Sequence, residues 1–190
     1  PTRGARCGGT YFRIVGAGYG PETRVFIGDR EATVQIVGSQ LIKGYSPRGV
    51  PGLADIRIQA GSESLTLSKA WLYFDPAGYL PGAWGNEIDE AVNITVIEAN
   101  SGDRVMGAFV TLGADPATPY QGVTDLNGQI TLSGPGLAGP VTATAAKEMY
   151  TTFSIAHFDA ENATIMLIRL NPPSPPGPGP PDTPLRSEEH

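Results

Sequence analysis

The sequence is poor in cysteine and histidine, and it has no long apolar stretch. Cys7 is the one cysteine among 190 residues, which excludes an internal disulfide and a zinc site made of several thiolates. We expect it to be a half-buried free thiol near the start of a strand. No run approaches the roughly 18 apolar residues that span a bilayer, so we expect no membrane insertion. The first residues lack the features of a signal peptide, and if the protein is exported we expect its targeting segment to have been removed.

Positive charge is scarce after the first 75 residues. The net charge of the chain is −6. Residues 1–75 hold nine Lys/Arg against six Asp/Glu, for a charge of +3, whereas 76–170 hold three against ten, for a charge of −7. Binding to duplex DNA or RNA requires a concentrated basic surface that displaces counterions. We therefore do not expect nucleic acid to be a partner.

Glycine and proline are abundant, with 25 and 18 copies. Together with many Val, Ile, Thr and aromatic residues they predict short strands joined by tight turns, and almost no helix. In 54–59, Ile56 and Ile58 alternate with polar residues, as in a half-buried antiparallel strand. Strands are predicted at 10–15, 25–27, 32–36, 41–45, 54–60, 70–74, 91–96, 109–112, 120–124, 129–132, 141–146, 151–157 and 163–170. The predicted fold class is all-β, with two consecutive β-sandwiches.

The predicted domain order has four parts. A sandwich at 1–75 is followed by a linker at 76–90, where proline and glycine interrupt the pattern, and a second sandwich occupies 91–170. Residues 171–190 are predicted to be a proline-rich, extended spacer that leads to further domains of the same polypeptide. The segment 124–129, TDLNGQ, predicts a hairpin loop whose glycine takes a positive φ.

The first part carries a recognisable motif. The segments GGTYFRIVGAGY at 8–19 and VFIGDREATV at 25–34 resemble the IPT/TIG family of immunoglobulin-like domains, and the likeness extends over 1–75. The resemblance implies an immunoglobulin-like sandwich. Some members of this family bind DNA through basic loops, but here the corresponding Arg24, Arg30, Lys43 and Arg48 are scattered.

The second part is similar to another family. GAFVTL at 107–112 and TDLNG at 124–128 resemble the carboxypeptidase-regulatory-like, transthyretin-like sandwiches. The chain departs from that pattern at 147–150, KEMY, where the family often has a glycine before the aromatic residue. Related sandwiches sometimes contain an internal Lys–Asn isopeptide bond. Because Lys147 is the only lysine of this part, we expect no such cross-link.

Few residues of the sequence are candidates for a catalytic or metal-binding site. His157, the only interior histidine, has no second histidine or close carboxylate in the sequence and is predicted to be packed or to end a strand. Asp125 and Asn127 are weak candidates for a calcium site, because the further acids of an EF-hand-like loop are missing and turn formation explains both residues. No catalytic residue and no cofactor other than this calcium is predicted.

The sequence therefore predicts a non-catalytic structural or adhesive segment of a secreted or cell-surface multidomain protein, whose partner is a protein or a glycan. The alternative is a carbohydrate-binding accessory module of an extracellular hydrolase. Glycan-binding modules present exposed aromatic rings, and the candidates for that role are Trp71, Tyr79, Trp84 and Tyr120.

Overall fold

The computed structural model describes residues 2–76, 81–115 and 117–170. The predicted proline-rich spacer and Tyr79 lie outside the described residues. Within them every regular element is a strand, and no helix that could cross a membrane is found. The predicted all-β fold class is therefore confirmed. We call residues 1–75 the first module and residues 81–170 the second module.

The first module consists of two facing sheets. Its strands are β1 (Arg3–Ala5), β2 (Tyr11–Val15), β3 (Thr23–Ile27), β4 (Arg30–Glu31), β5 (Thr33–Gly38), β6 (Leu41–Tyr45), β7 (Gly52–Ala60) and β8 (Glu63–Phe74). One sheet has the order β1-β8-β7-β3-β4, and the other has the order β2-β6-β5. β1 pairs with β8 in parallel, whereas the other neighbours are antiparallel.

The second module also has two sheets. Its strands are β9 (Gly82–Trp84), β10 (Ala91–Glu98), β11 (Phe109–Leu112), β12 (Gln121–Val123), β13 (Gln129–Ser133), β14 (Val141–Ala146), β15 (Phe153–Phe158) and β16 (Asn162–Leu167). The sheet orders are β13-β10-β16-β9 and β12-β11-β14-β15. β10 and β16 run parallel. The predicted hairpin loop joins β12 to β13, and its Gly128 has a φ of 66°, which confirms the predicted positive φ.

Each module encloses a core formed by alternate residues of its strands. In the first module the core residues are Phe12, Val25, Ile27, Ala32, Ile42, Ile58, Trp71 and Tyr73. In the second module Val92, Ile94 and Val96 of β10 are fully buried, together with Ala163, Ile165 and Leu167 of β16. The alternation in the sequence thus corresponds to the inward faces of these strands.

Two segments outside the predicted second sandwich contribute to the core or the sheets of the second module. Residues 82–84, placed in the linker by the sequence, form β9 and pair with β16, and Ala83 and Ile88 enter the second core. The prediction of a half-buried thiol at Cys7 is wrong. Cys7 is fully buried, and it packs in the core of the second module although it belongs to the first part of the sequence. The hydrophobic cores of the two modules are therefore not independent.

Candidate functional site at the junction between the modules

The two modules meet at a junction that centres on Arg48. Arg48 follows Ser46 and Pro47 in the loop after β6, and only 7% of its surface is exposed. Its guanidinium donates hydrogen bonds to the carbonyl oxygen of Asp159 and, at 2.9 Å, to that of Gly85. A buried cation is tolerated only when it is hydrogen-bonded or paired. Both carbonyls belong to the second module, so Arg48 of the first module depends on the second for its hydrogen bonds.

Opposite charges line the junction. Glu87 of the second module forms an ion pair with Arg30, and its Oε1 lies 3.6 Å from Nε of Arg48. Asp159 Oδ2 lies 3.9 Å from a guanidinium nitrogen of Arg30, and its Oδ1 accepts a hydrogen bond from the backbone N–H of Ile88. The positive first module and the negative second module therefore present complementary charges where they meet.

The backbones of the two modules also join directly. Gly8 forms an antiparallel bridge with Phe158, and the N–H of Asp159 donates to the carbonyl of Cys7 at 2.8 Å. Gly9 has a φ of 74°, and a Cβ atom at this position would lie 2.3 Å from the carbonyl oxygen of Ala156. Only glycine fits such a close approach. The glycine pair at 8–9 thus allows the first module to approach strand β15.

His157 contributes an aromatic contact to the junction. Its ring stacks on that of Tyr45, with 4.4 Å between centroids and 19° between planes. Its backbone adopts a φ of 51°, and its N–H donates to Oγ1 of Thr142 at 3.3 Å. The prediction of a packed histidine is confirmed.

Burial keeps two titratable groups of the first module protonated. Burial raises the pKa of the Cys7 thiol, so the thiol stays protonated and is a poor nucleophile. Burial likewise raises the pKa of the Tyr73 phenol, whose hydroxyl donates to the carbonyl of Pro47 at 2.9 Å. Cys7 packs in a hydrophobic core, and the hydroxyl of Tyr73 is held by its hydrogen bond.

Two clefts open beside the junction. One has a volume of about 450 Å³ and is lined by Arg6, Arg30, Arg48 and Glu87 over an apolar floor that includes Leu53 and Tyr73. The other, of about 210 Å³, lies between Glu31, Arg48, His157 and Asp159. The arginines at the walls of these clefts are paired within the protein: Arg6 with Asp75, and Arg30 and Arg48 with Glu87.

The aromatic residues singled out in the sequence occupy different environments. Trp71 is 1% exposed and packs edge-on against Phe12 and Tyr73, so its faces are closed to a ligand. Tyr120 is half-buried against the second core, and its hydroxyl lies 3.4 Å from the carbonyl oxygen of Pro135. Trp84 is half-buried on β9, directly opposite Asn162 of β16. Of the described candidates, Trp84 is the one placed beside polar side chains on a sheet face.

Asp125 and Asn127 lie in the hairpin loop as turn residues. The carboxylate of Asp125 accepts hydrogen bonds from the backbone N–H groups of Asn127, at 2.9 Å, and Gln129, at 2.8 Å. This is the pattern in which an aspartate side chain supports a turn. Within the described ranges no cluster of three metal-ligating side chains occurs.

Several basic side chains also have acidic or backbone partners within the protein. Nε of Arg24 donates to Oε1 of Glu31 at 2.7 Å, and Arg30 and Arg48 belong to the junction. Lys147 donates from Nζ to the carbonyl of Met106 at 2.6 Å. Three of the four scattered cations considered for nucleic-acid binding are thus paired with acids or backbone carbonyls.

Sequence reasoning missed the junction residues Arg48, Glu87, Asp159 and Tyr45 as a group. Arg48 and Asp159 are 111 positions apart, and no local pattern links them. One signal was present: the first 75 residues carry +3 and the next 95 carry −7. Two adjacent modules of opposite charge are predisposed to associate.

Comparisons with known proteins concern mainly the first module. The family model described as IPT/TIG domain matches residues 1–70. The resemblance found in the motif at 8–19 is therefore supported over this part of the chain. The resemblance of 91–170 to carboxypeptidase-regulatory-like sandwiches remains a prediction. A search of curated proteins finds no significant match.

Among solved structures, the similar chains include two pilus proteins and the Bacillus anthracis TIE protein. The backbone protein of group B streptococcus pilus 2b is 11% identical with a TM-score of 0.34, and the alignment covers 83% of this chain and 82% of that one. The Bacillus anthracis TIE protein is 11% identical with a TM-score of 0.31, over 85% of this chain and 34% of the other. BcpA, the major pilin subunit of Bacillus cereus, is 14% identical with a TM-score of 0.30, over 84% and 57% of the two chains.

Proposed function

We propose that the chain is a non-catalytic structural segment of a cell-surface or secreted protein, in which the two sandwiches act together as one rigid spacer. The observation that carries the proposal is the burial of Arg48 at the junction, with hydrogen bonds to Asp159 and Gly85 of the other module. Two modules joined by a flexible linker alone would not bury a cation between them, because its desolvation must be offset by fixed partners.

The groups that could perform chemistry support a structural role. The ring of His157 stacks on Tyr45, the thiol of Cys7 is buried in a core, and the carboxylate of Asp125 supports a turn. A catalytic group must instead be free to contact a substrate and must be oriented by a neighbour. We therefore expect no turnover of glycosidase, peptidase or esterase substrates by the purified chain.

The test of the spacer is whether the two modules tumble as one body. Nuclear spin relaxation of backbone amides in the intact chain should give one rotational correlation time for residues of both modules. Arg48→Ala should weaken the junction and lower the melting temperature of the chain without separating the modules, because Cys7, the Gly8–Phe158 bridge and the Arg30–Glu87 pair still join them. Arg24→Ala is the matched control, because Arg24 pairs with Glu31 on the exposed surface of the first module and such pairs contribute little. Independent tumbling of the parent chain would refute the spacer.

We place this segment at the cell surface as part of the same proposal, next to further domains of one polypeptide that it positions. The experiment is proteolytic shaving of intact cells that express the gene, followed by mass spectrometry. Peptides of this chain should be released while a cytoplasmic marker stays inside. Recovery of its peptides only after lysis would place the segment inside the cell.

A second candidate, binding of a neutral glycan, is favoured by one row of side chains. The sheet β13-β10-β16-β9 carries a row of four residues that lie opposite one another on neighbouring strands: Thr131, Asn93, Asn162 and Trp84. Oγ1 of Thr131 donates to Oδ1 of Asn93 at 2.7 Å, and Nδ2 of Asn93 donates to Oδ1 of Asn162 at 3.3 Å. The row has no charged member, and at roughly 4.8 Å between strands it spans about 14 Å.

A neutral polysaccharide suits this row because sugar rings combine hydroxyl groups with apolar faces. The test is affinity electrophoresis of the intact chain in gels that contain neutral or anionic polysaccharides. Retardation by a neutral polysaccharide should disappear in Trp84→Ala and persist in Phe153→Ala, which removes an exposed aromatic ring from the other sheet. Equal retardation of the parent and Trp84→Ala would rule this site out.

A further inference from the structure

We propose that the second module bears tension along the chain, and that the pairing of β10 with β16 is the element that carries the load. The inference rests on the proposed spacer function and adds a mechanical function to it. β10 is the first long strand of the module, and β16 is its last strand. The two lie side by side in parallel over six residue pairs, from Asn93–Asn162 to Glu98–Leu167.

The relative direction of the two strands determines how their hydrogen bonds meet a pulling force. The chain enters β10 at Ala91 and leaves β16 at Leu167. A force along the chain therefore pulls the two strands past each other, toward opposite ends of the ladder. The bonds of a parallel ladder are evenly spaced, so in this geometry they share the load and must break nearly together. If both strands were pulled from the same end, the bonds would break one pair at a time.

Further contacts lengthen the ladder at both ends. The N–H of Asn93 donates to the carbonyl of Glu161 at 2.8 Å, and the N–H of Ala99 donates to the carbonyl of Leu167 at 2.9 Å. Beyond β10, the carboxylate of Glu98 accepts hydrogen bonds from the backbone N–H groups of Asn100 and Ser101. These bonds fix the turn that follows the loaded strand.

The core protects the ladder from water on one side. The inward side chains of both strands are fully buried: Val92, Ile94, Val96, Ala163, Ile165 and Leu167. Water can replace a strained backbone hydrogen bond only where it reaches the bond, and here it reaches one face of the sheet at most. A ladder of this kind belongs to the most stable part of a fold.

The first module contains a shorter version of the same arrangement. β1 is the first strand of this module and β8 is its last. The two pair in parallel over three residue pairs, from Arg3–Leu72 to Ala5–Phe74. One bond on each side extends this ladder, from the N–H of Leu72 to the carbonyl of Thr2 and from the N–H of Arg6 to that of Phe74. Because fewer bonds share the load, we infer that the first module yields at a lower force than the second.

The test is single-molecule pulling of the full chain through two attachment geometries that differ at one point. Asp89→Cys, just before β10, is combined either with Ile168→Cys, just after β16, or with Glu161→Cys, just before β16. The first pair loads the ladder in shear and the second opens it from one end. The native thiol of Cys7 is buried and does not compete for the handles in the folded protein.

We expect the rupture force of the 89/168 pair to be several-fold higher than that of the 89/161 pair, with equal melting temperatures of the two variants before attachment. Equal rupture forces would overturn the load-bearing function, while single-body tumbling of the parent chain would still support the spacer. A second measurement uses the unsubstituted chain, pulled through its two ends. The first module should unfold before the second, and each unfolding event should lengthen the chain by an amount that identifies the module. If the second module unfolded first, the inference would equally be overturned.

Discussion

His157 of the second module stacks on Tyr45 of the first, with ring centroids 4.4 Å apart. The histidine holds a φ of 51°, in the left-handed region that residues other than glycine seldom adopt, although histidine does so more often than most. Such backbone strain persists only where surrounding contacts compensate for it. The stacked ring of Tyr45 is one of these contacts. Because Tyr45 belongs to the first module, docking of the two modules helps to hold the strained backbone of His157.

Removing the Tyr45 ring should loosen the junction. Tyr45→Ala is expected to lower the free energy of unfolding by at least about 1 kcal/mol, the typical contribution of an aromatic pair beyond simple burial. Tyr45→Phe keeps the ring and should remain close to the parent protein. Urea denaturation followed by circular dichroism measures both variants. If Tyr45→Phe were as destabilised as Tyr45→Ala, the hydroxyl rather than the stacked ring would be responsible.

Gly9 should tolerate substitution far less well than Gly18. The two have φ values of 74° and 78°, so an alanine at either position meets a similar conformational cost, about 1 kcal/mol. At Gly9 the new Cβ would also lie 2.3 Å from the carbonyl oxygen of Ala156, whereas at Gly18 no atom lies within 4 Å. Thermal unfolding should therefore show a clearly larger loss for Gly9→Ala. Equal losses would mean that the junction adjusts freely around residue 9.

Met149 occupies a position that suits glycine. Its φ is 64°, and it precedes Tyr150 at the position where the carboxypeptidase-regulatory-like pattern that 91–170 is predicted to resemble often has a glycine. Met149→Gly should raise the free energy of unfolding by roughly 0.5–1 kcal/mol, because relief of the left-handed backbone outweighs the entropy that glycine adds to the unfolded chain. Met106→Gly serves as the control: Met106 is similarly exposed and is not among the residues with a positive φ, so its replacement should destabilise.

The stability of the second module should fall in acid through Glu98. Hydrogen bonds from Ser101, and then from Asn100, hold the pKa of the Glu98 carboxylate below its ordinary value. A lowered folded-state pKa stabilises the fold above the unfolded pKa, near 4.3, and that stabilisation is lost as the pH falls through the folded pKa. Melting temperatures measured between neutral and acidic pH should drop less steeply for Glu98→Gln than for the parent. Parallel curves would show that the carboxylate is not linked to folding.

Asp125 should matter for stability and not for calcium. Its carboxylate accepts two backbone hydrogen bonds in the loop between β12 and β13, so Asp125→Ala should cost about 1–2 kcal/mol. Calorimetric scans with calcium or with a chelator should give the same melting temperature for the parent protein. An increase with calcium that is lost in Asp125→Ala would instead establish the metal site that the loop sequence weakly suggests.

Periodicity predicted the fold where only one face of a strand is apolar. Val92, Ile94 and Val96 alternate with polar residues, and they are fully buried. The method fails at 71–74, WLYF, because all four residues are apolar. Trp71 and Tyr73 enter the core while Leu72 and Phe74 face outward, and no alternation in the sequence distinguishes these faces. For this reason the sequence alone makes Trp71, which is buried, a candidate for ligand binding.

The junction could not be predicted from local patterns because its partners are distant in sequence. Arg48 looks like a loop cation, and what distinguishes it is the pair of carbonyl oxygens supplied by Gly85 and Asp159. The motif GGT at 8–10 belongs to the segment that resembles the IPT/TIG family. Its role in letting Cys7 and Gly9 approach strand β15 becomes visible only when both modules are present.

The position of Cys7 has a consequence for the order of folding during synthesis. Cys7 leaves the ribosome well before the core that encloses it, because that core includes Phe158, Ala160 and Ala163, which are made about 150 residues later. Contacts over such a separation in sequence form slowly, because a long loop must close first. In the nascent first module the segment around Cys7 therefore has no packing partner. Its thiol becomes inaccessible to reagents only when the second module has folded against it.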